Sequence, residues 1–270
     1  VAAGYDYRQC GGEFVIMGDA DGTVEIEGYP YSVEVVLDPD SDDRYVLMGS
    51  LSEDSLNVFQ LDADNKPTLI QQLALGTGLN DIIDTGTGSV FVTSKYGAVL
   101  FHLKLEHGLF SLAGSVGLPV AASSTDYSRA LAWSEKSSRL YIVYRSPDSI
   151  LAVDLAADES EEIVASVIDI VPVGNKPTAV ALVDYGTTSG EFPEEMLYVV
   201  SMDEDAVYAL DGATLSVLEK IKLGRSPYAI SHNPKRKEAY VLNFADEEQP
   251  ISIIDLDPES ASFHQVIGRD

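Results

Sequence analysis

Residues Gly174–Ser226 read GNKPTAVALVDYGTTSGEFPEEMLYVVSMDEDAVYALDGATLSVLEKIKLGRS, and Pro227-Tyr228-Ala229-Ile230 then begins the same pattern again. The stretch holds four short apolar runs separated by turn residues. Val, Ile, Tyr and Phe favour strands because they pack well on a pleated surface. Asp, Asn, Gly and Pro set the dihedrals of the turns between them. One such unit therefore predicts a four-stranded sheet.

The pattern extends outward in both directions. A Gly followed by a short step and usually a Pro recurs at Gly28-Tyr29-Pro30, Gly117-Leu118-Pro119, Gly174-Asn175-Lys176-Pro177 and Gly224-Arg225-Ser226-Pro227. Gly76 and Gly268 fill the same slot without Pro. The intervals are 48, 41, 57, 50 and 44 residues, with a mean of 48. Within each interval the order is constant. A first strand follows the glycine: Val33–Leu37, Asp81–Ile83, Ala130–Trp133, Ala179–Val183, Tyr228–Ser231. An aromatic–β-branched pair opens the second: Tyr45-Val46, Phe91-Val92, Tyr141-Ile142, Tyr198-Val199, Tyr240-Val241. The third ends in Asp at Asp62, Asp154, Asp211 and Asp255, with Val99–Leu103 as the exception, and a fourth runs into the next glycine.

A period near 48 residues with four strands per unit predicts an all-β β-propeller of four-stranded antiparallel blades, because stacking units around an axis buries sheet faces that each unit alone leaves open. The expected organisation is one propeller domain over 1–270. It has a partial blade at 1–28 and full blades at 29–76, 77–117, 118–174, 175–224 and 225–268. That gives six blades if the chain is complete and seven if it is a fragment. The start at Val1, without initiator Met or signal sequence, predicts a mature product or a fragment.

The formal net charge is −27, from 44 Asp+Glu against 17 Lys+Arg. Such a surface repels a phosphate backbone, which excludes nucleic acid as a partner. No apolar run reaches the length of a membrane helix. Cys10 is the single cysteine, so no disulfide can form within the chain. Abundant Tyr, Asp-rich turns and few Lys fit an extracellular, cell-surface or periplasmic protein.

The units resemble the YVTN-type β-propeller repeat of bacterial and archaeal surface and exported proteins. The resemblance rests on Tyr198-Val199-Val200-Ser201, Tyr240-Val241-Leu242-Asn243 and Phe91-Val92-Thr93-Ser94, on the strands ending at Asp211 and Asp255, and on the Gly-x-x-Pro steps at Gly174 and Gly224. It covers about residues 28–270. Tyr45-Val46-Leu47-Met48 and Tyr141-Ile142-Val143-Tyr144 depart at the last position. Similar propellers serve as surface-layer components, recognition modules, sugar-lactone hydrolases and haem-carrying redox domains.

Carboxylate pairs recur at turns: Asp19/Asp21, Asp38/Asp40, Asp62/Asp64, Asp203/Asp205 and Asp255/Asp257. Clustered carboxylates and carbonyls suit a hard cation. Gly18-Asp19-Ala20-Asp21-Gly22 is the best calcium candidate, with Asp19 and Asp21 as ligands, although Asp at a hairpin turn needs no metal to explain it. His102 falls on the face opposite Val99, Phe101, Leu103 and Leu105, and is expected in solvent with Lys104. No zinc, c-type haem, nucleophile-elbow or phosphate-loop spacing occurs. The repeated aromatics, Tyr45 to Tyr240, read as packing between blades, and Trp133 as core or as lining of a central channel. Two polar insertions, Asp184–Glu195 and Ala156–Glu162, are candidate binding loops.

These features predict a non-enzymatic exported or cell-surface module that binds another protein or joins a surface assembly. One alternative is a lactonase-like or redox enzyme with its site at the central channel, built from polar groups at the ends of first strands such as Arg129, Glu135 and His232. Another is a calcium-stabilised surface adhesin.

Overall fold

The computed structural model describes residues 14–15, 25–26, 28–76, 78–120, 126–157, 163–186 and 192–269. Asp19, Asp21 and Cys10, together with residues 187–191 of one insertion and 158–162 of the other, lie outside the described residues. The chain divides into two compact units, residues 1–128 and 129–270.

In the first unit, a two-stranded ribbon pairs β1 (Phe14–Val15) with β2 (Glu25–Ile26). Two four-stranded sheets follow. One is β3 (Pro30–Leu37), β4 (Arg44–Ser50), β5 (Ser55–Leu61) and β6 (Pro67–Ala74). The next is β7 (Leu79–Asp84), β8 (Ser89–Ser94), β9 (Val99–Glu106) and β10 (Leu109–Gly117). The second unit has three. They are β11 (Ser128–Ser134) to β14 (Ile163–Pro172), through β12 (Arg139–Arg145) and β13 (Asp148–Ala157); β15 (Pro177–Asp184), β16 (Glu195–Ser201), β17 (Ala206–Asp211) and β18 (Val217–Lys222); and β19 (Pro227–Asn233), β20 (Glu238–Asn243), β21 (Ile251–Asp255) and β22 (Val266–Arg269). Each sheet is an antiparallel meander in sequence order, which is the predicted blade.

Burial falls from the middle of each sheet to its last strand. All six residues of β8 are buried, as are six of seven in β16. A strand covered on both faces reads as a continuous apolar run, and Phe91-Val92 and Tyr198-Val199 sit in such runs. By contrast β18 exposes every residue except Ile221. The core lies between successive sheets. In the first unit Tyr45, Leu47, Leu56 and Val58 pack with Ile82, Val90, Val92 and Phe110, and the Tyr45 and Phe110 rings meet edge to face at 5.5 Å. In the second unit one cluster joins the third and fourth sheets through Tyr141, Val143, Ile150 and Leu197. Another joins the fourth and fifth through Tyr198, Val200, Ala239 and Val241. Each fully buried aliphatic or aromatic side chain contributes about 1.5–3 kcal/mol. The repeated aromatics are thus core residues, with Tyr240 only half-buried.

Every four-stranded sheet carries a register shift between its third and fourth strands, at Val58/Phe59, Leu112/Gly114, Ala152/Val153, Ala209/Leu210 and Ile253/Ile254. Such bulges raise local twist, and their recurrence gives the sheets a common twist.

The last residue of the second strand is a polar anchor. Ser201 donates to the Asn175 carbonyl at 2.8 Å and accepts the Asn175 N–H at 3.0 Å. Ser94 accepts the Tyr96 and Gly97 N–H groups, and Asn243 donates to the Gln249 carbonyl. In the first sheet Ser50 takes this role, donating to the Tyr29 carbonyl and accepting the Ser52 and Glu53 N–H groups. That strand runs two residues longer past Tyr45, so Ser50, and not Met48, occupies the anchor position. Gly174 lies against this anchor with φ +48°, and a Cβ there would overlap the Ser201 hydroxyl.

Candidate functional site

The recurring Asp pairs are turn-makers. Asp38 accepts the Asp40 N–H at 3.0 Å, Asp62 the Asp64 N–H at 2.9 Å, and Asp255 the Asp257 N–H at 2.9 Å. In each pair the first carboxylate caps the backbone of the second, an Asx turn. Asp203 pairs instead with Lys176, and Asp205 accepts the Ser226 N–H. Among the described residues no group of three or more His, Cys, Asp or Glu could hold a metal.

Where first strands end, the same device serves different ends. Asp184 at the close of β15 accepts the Gly186 N–H at 2.7 Å. Beside it, the β11–β12 turn brings Glu135 and Lys136. Trp133, Glu135, Lys136, Leu182, Asp184 and Glu195 line an open groove of about 520 Å³ between the third and fourth sheets. Lys136 lies 2.7 Å from Glu194 and 3.7 Å from Asp184. Hydrogen bonding to Glu194 raises its pKa. Ser134, fully buried, donates to the Glu195 carboxylate at 2.8 Å and accepts the Ser137 hydroxyl at 2.8 Å and the Ser137 N–H at 3.1 Å. Two walls are apolar: the half-buried Trp133 ring and Leu182. The exposed Glu135 carboxylate has no hydrogen bond or ion pair among the described residues.

A second groove, about 490 Å³, is lined by Arg225 and residues 245–249. Its centre is filled by turn chemistry: Asp246 accepts the Arg225 N–H at 3.2 Å and the Gln249 N–H at 3.1 Å. These bonds hold its carboxyl below the usual range.

Two partly buried polar clusters lie elsewhere. Tyr198 hydrogen-bonds Tyr185 at 2.7 Å and His264 Nε2 at 2.9 Å. Burial pushes the Tyr185 hydroxyl up to about 12 and Tyr198 higher still. In the first unit Glu34 accepts the Asp84 N–H at 3.3 Å, and burial raises the pKa of both carboxyls.

The trio expected at the ends of first strands does not come together. Arg129 and Glu135 flank opposite ends of β11, about 20 Å apart at ~3.3 Å per residue. His232 lies near the end of β19, half-buried, its pKa lowered by burial. Of the three, only Glu135 lines the groove. His102 is not in solvent: it is 7% exposed, stacks on Phe91 at 4.7 Å and hydrogen-bonds Ser89 at 3.1 Å. Both faces of β9 are covered, so alternation along it does not mean exposure. Trp133 faces the groove between two sheets. No spacing motif marks this site, since its residues come from two turns some fifty positions apart.

No protein-family profile matches the chain, and no curated protein sequence does. Solved structures match over most of its length. A protein described as a "putative 6-phosphogluconolactonase" from Bacteroides uniformis is 15% identical, with a TM-score of 0.66, over 88% of this chain and 72% of the other. One of the same description from Bacteroides fragilis is 12% identical, with a TM-score of 0.62, over 88% and 71%. Dihydro-heme d1 dehydrogenase NirN is 15% identical, with a TM-score of 0.59, over 88% of this chain and 47% of its own. The expectation of a non-enzymatic interaction module is corrected here, because propellers described as a lactonase and as a dehydrogenase are among the structures this chain resembles, and the enzyme alternative accords with them better. Among the described residues no helix is long and apolar enough to cross a membrane. At these identities the likeness speaks to architecture alone: the chain folds as a β-propeller of four-stranded antiparallel blades.

Proposed function

We propose that this protein is a lactonase-like hydrolase acting at the groove between the third and fourth sheets. The observation that carries the reading is Glu135: a carboxylate without a partner, standing on the rim of a groove with Trp133 and Leu182 as apolar walls. A flat sugar-like ring rests on the indole, which offers apolar area with a polar edge. Glu135 takes a proton from water as the water oxygen bonds to the lactone carbonyl carbon. The ring C–O bond then breaks, and the departing alkoxide takes that proton back from Glu135. The groove lining contains no His, Cys or Met, which favours hydrolysis over a haem-based redox role for this site.

The repeat belongs, in this reading, to the YVTN type, supported by the polar anchor at Ser94, Ser201 and Asn243. An exported setting fits the acidic, cysteine-poor composition.

The test is acid release from glucono-δ-lactone and a panel of γ- and δ-lactones, followed by pH-stat. Release above the spontaneous rate is expected, and Glu135→Gln lowers kcat by roughly 10²–10⁴-fold, the usual weight of a general base. No release above blank with any lactone overturns the proposal.

A further inference from the structure

We infer that the groove selects a ring without negative charge and rejects its phosphorylated form. The inference rests on the reading of this groove as the binding site, and adds the class of ligand it takes. Its lining holds three carboxylates, Glu135, Asp184 and Glu195, against one ammonium, Lys136. That ammonium is already claimed by Glu194 at 2.7 Å and approached by Asp184. A phosphate group needs unspent cationic or N–H donors. Here the Gly186 N–H is taken by Asp184, and the Ser134 hydroxyl by Glu195. Like charges brought together in the groove oppose binding. The chain's net charge of −27 adds a repulsive field at longer range. The indole, Leu182 and carboxylate acceptors instead suit a polyol ring, whose hydroxyls donate to carboxylates. The same charge favours release of a hydrolysed product, since opening a neutral lactone creates a carboxylate.

Trp133 is the chain's single tryptophan, so its emission reports on this groove alone. The probes are 1,5-anhydroglucitol and 1,5-anhydroglucitol 6-phosphate, rings that cannot be hydrolysed and that differ by one phosphate. The neutral ring is expected to shift the Trp133 emission saturably. The phosphorylated ring is expected to bind at least about tenfold more weakly, equivalent to about 1.4 kcal/mol. Added salt narrows the gap by screening. Glu135→Lys, at an exposed position, narrows it further. Equal or tighter binding of the phosphorylated ring overturns the inference, as does an emission unmoved by either probe. A neutral ring that binds to a protein inactive on every lactone leaves the selectivity standing and removes the hydrolase reading. Turnover that is as fast on phosphorylated lactones as on neutral ones does the reverse.

Discussion

The second and fourth four-stranded sheets are written in the same repeat yet set matched polar groups in different surroundings. Both first strands end in Asp, and both carboxylates cap the N–H two residues on, Asp84 to Gly86 and Asp184 to Gly186. Asp84 is half-buried beside Glu34, and burial raises its pKa. Asp184 is exposed and lies 3.7 Å from Lys136. The second strands carry Phe91, stacked on His102, and Tyr198, whose hydroxyl joins Tyr185 to His264. The glycines that lead into the two sheets differ as well. Gly76 has φ +94° with open space around its Cα, whereas Gly174 is crowded by Ser201 and Tyr208. A repeat thus specifies backbone and packing, while the neighbouring blade decides what each polar group can do.

The sharpest way to break this comparison is at the aromatic position. Tyr198→Ala is expected to cost about 3–5 kcal/mol in denaturant unfolding, the range for a large buried aromatic. Tyr198→Phe costs about 1–3 kcal/mol, because it strands the Tyr185 and His264 partners. If Tyr198→Phe unfolds at the wild-type midpoint, the hydroxyl chain is not structural and the two sheets are equivalent at this position.

The two glycines come next. Gly174→Ala combines a left-handed backbone with a steric overlap and is expected to cost about 2–4 kcal/mol. Gly76→Ala bears the backbone term alone, about 1–2 kcal/mol. Equal losses in thermal unfolding would show that the crowding at Gly174 relaxes freely.

Asp84→Asn has the smallest effect and the opposite sign. Asn keeps the acceptor for Gly86 without the buried charge. A carboxyl whose folded pKa is raised weakens the fold as pH climbs through that value, and this penalty is absent below the ordinary carboxylate pKa. The variant is therefore expected to melt higher than the parent at neutral pH, with the advantage fading on acidification to below the normal carboxylate range. An advantage that grows with acid reverses the assigned shift.

Much of the architecture was legible in the chain. The glycine spacing located five sheets, and the aromatic–β-branched pairs marked strands buried on both faces. Strand ends were less visible: the sequence placed the first strand of the first sheet at Val33, but pairing begins at Pro30. The recurrent bulges left no trace, because register is a property of two strands and not of one. His102 misled because period-two alternation separates the faces of a sheet without saying which face is covered. The groove escaped notice for a related reason. Trp133 and Glu135 read as one hairpin and Asp184 and Glu195 as another, and only the packing of their sheets brings them together.

The capped hairpins carry one more implication. Asn233 performs with an amide oxygen what Asp38, Asp62, Asp84 and Asp184 perform with carboxylates. The bends therefore do not require the charge, and part of the molecule's acidity is electrostatic load that its folding could do without. Dissolved ions quench such repulsion beyond about 8 Å at physiological strength, so added salt is expected to raise the unfolding midpoint of this chain.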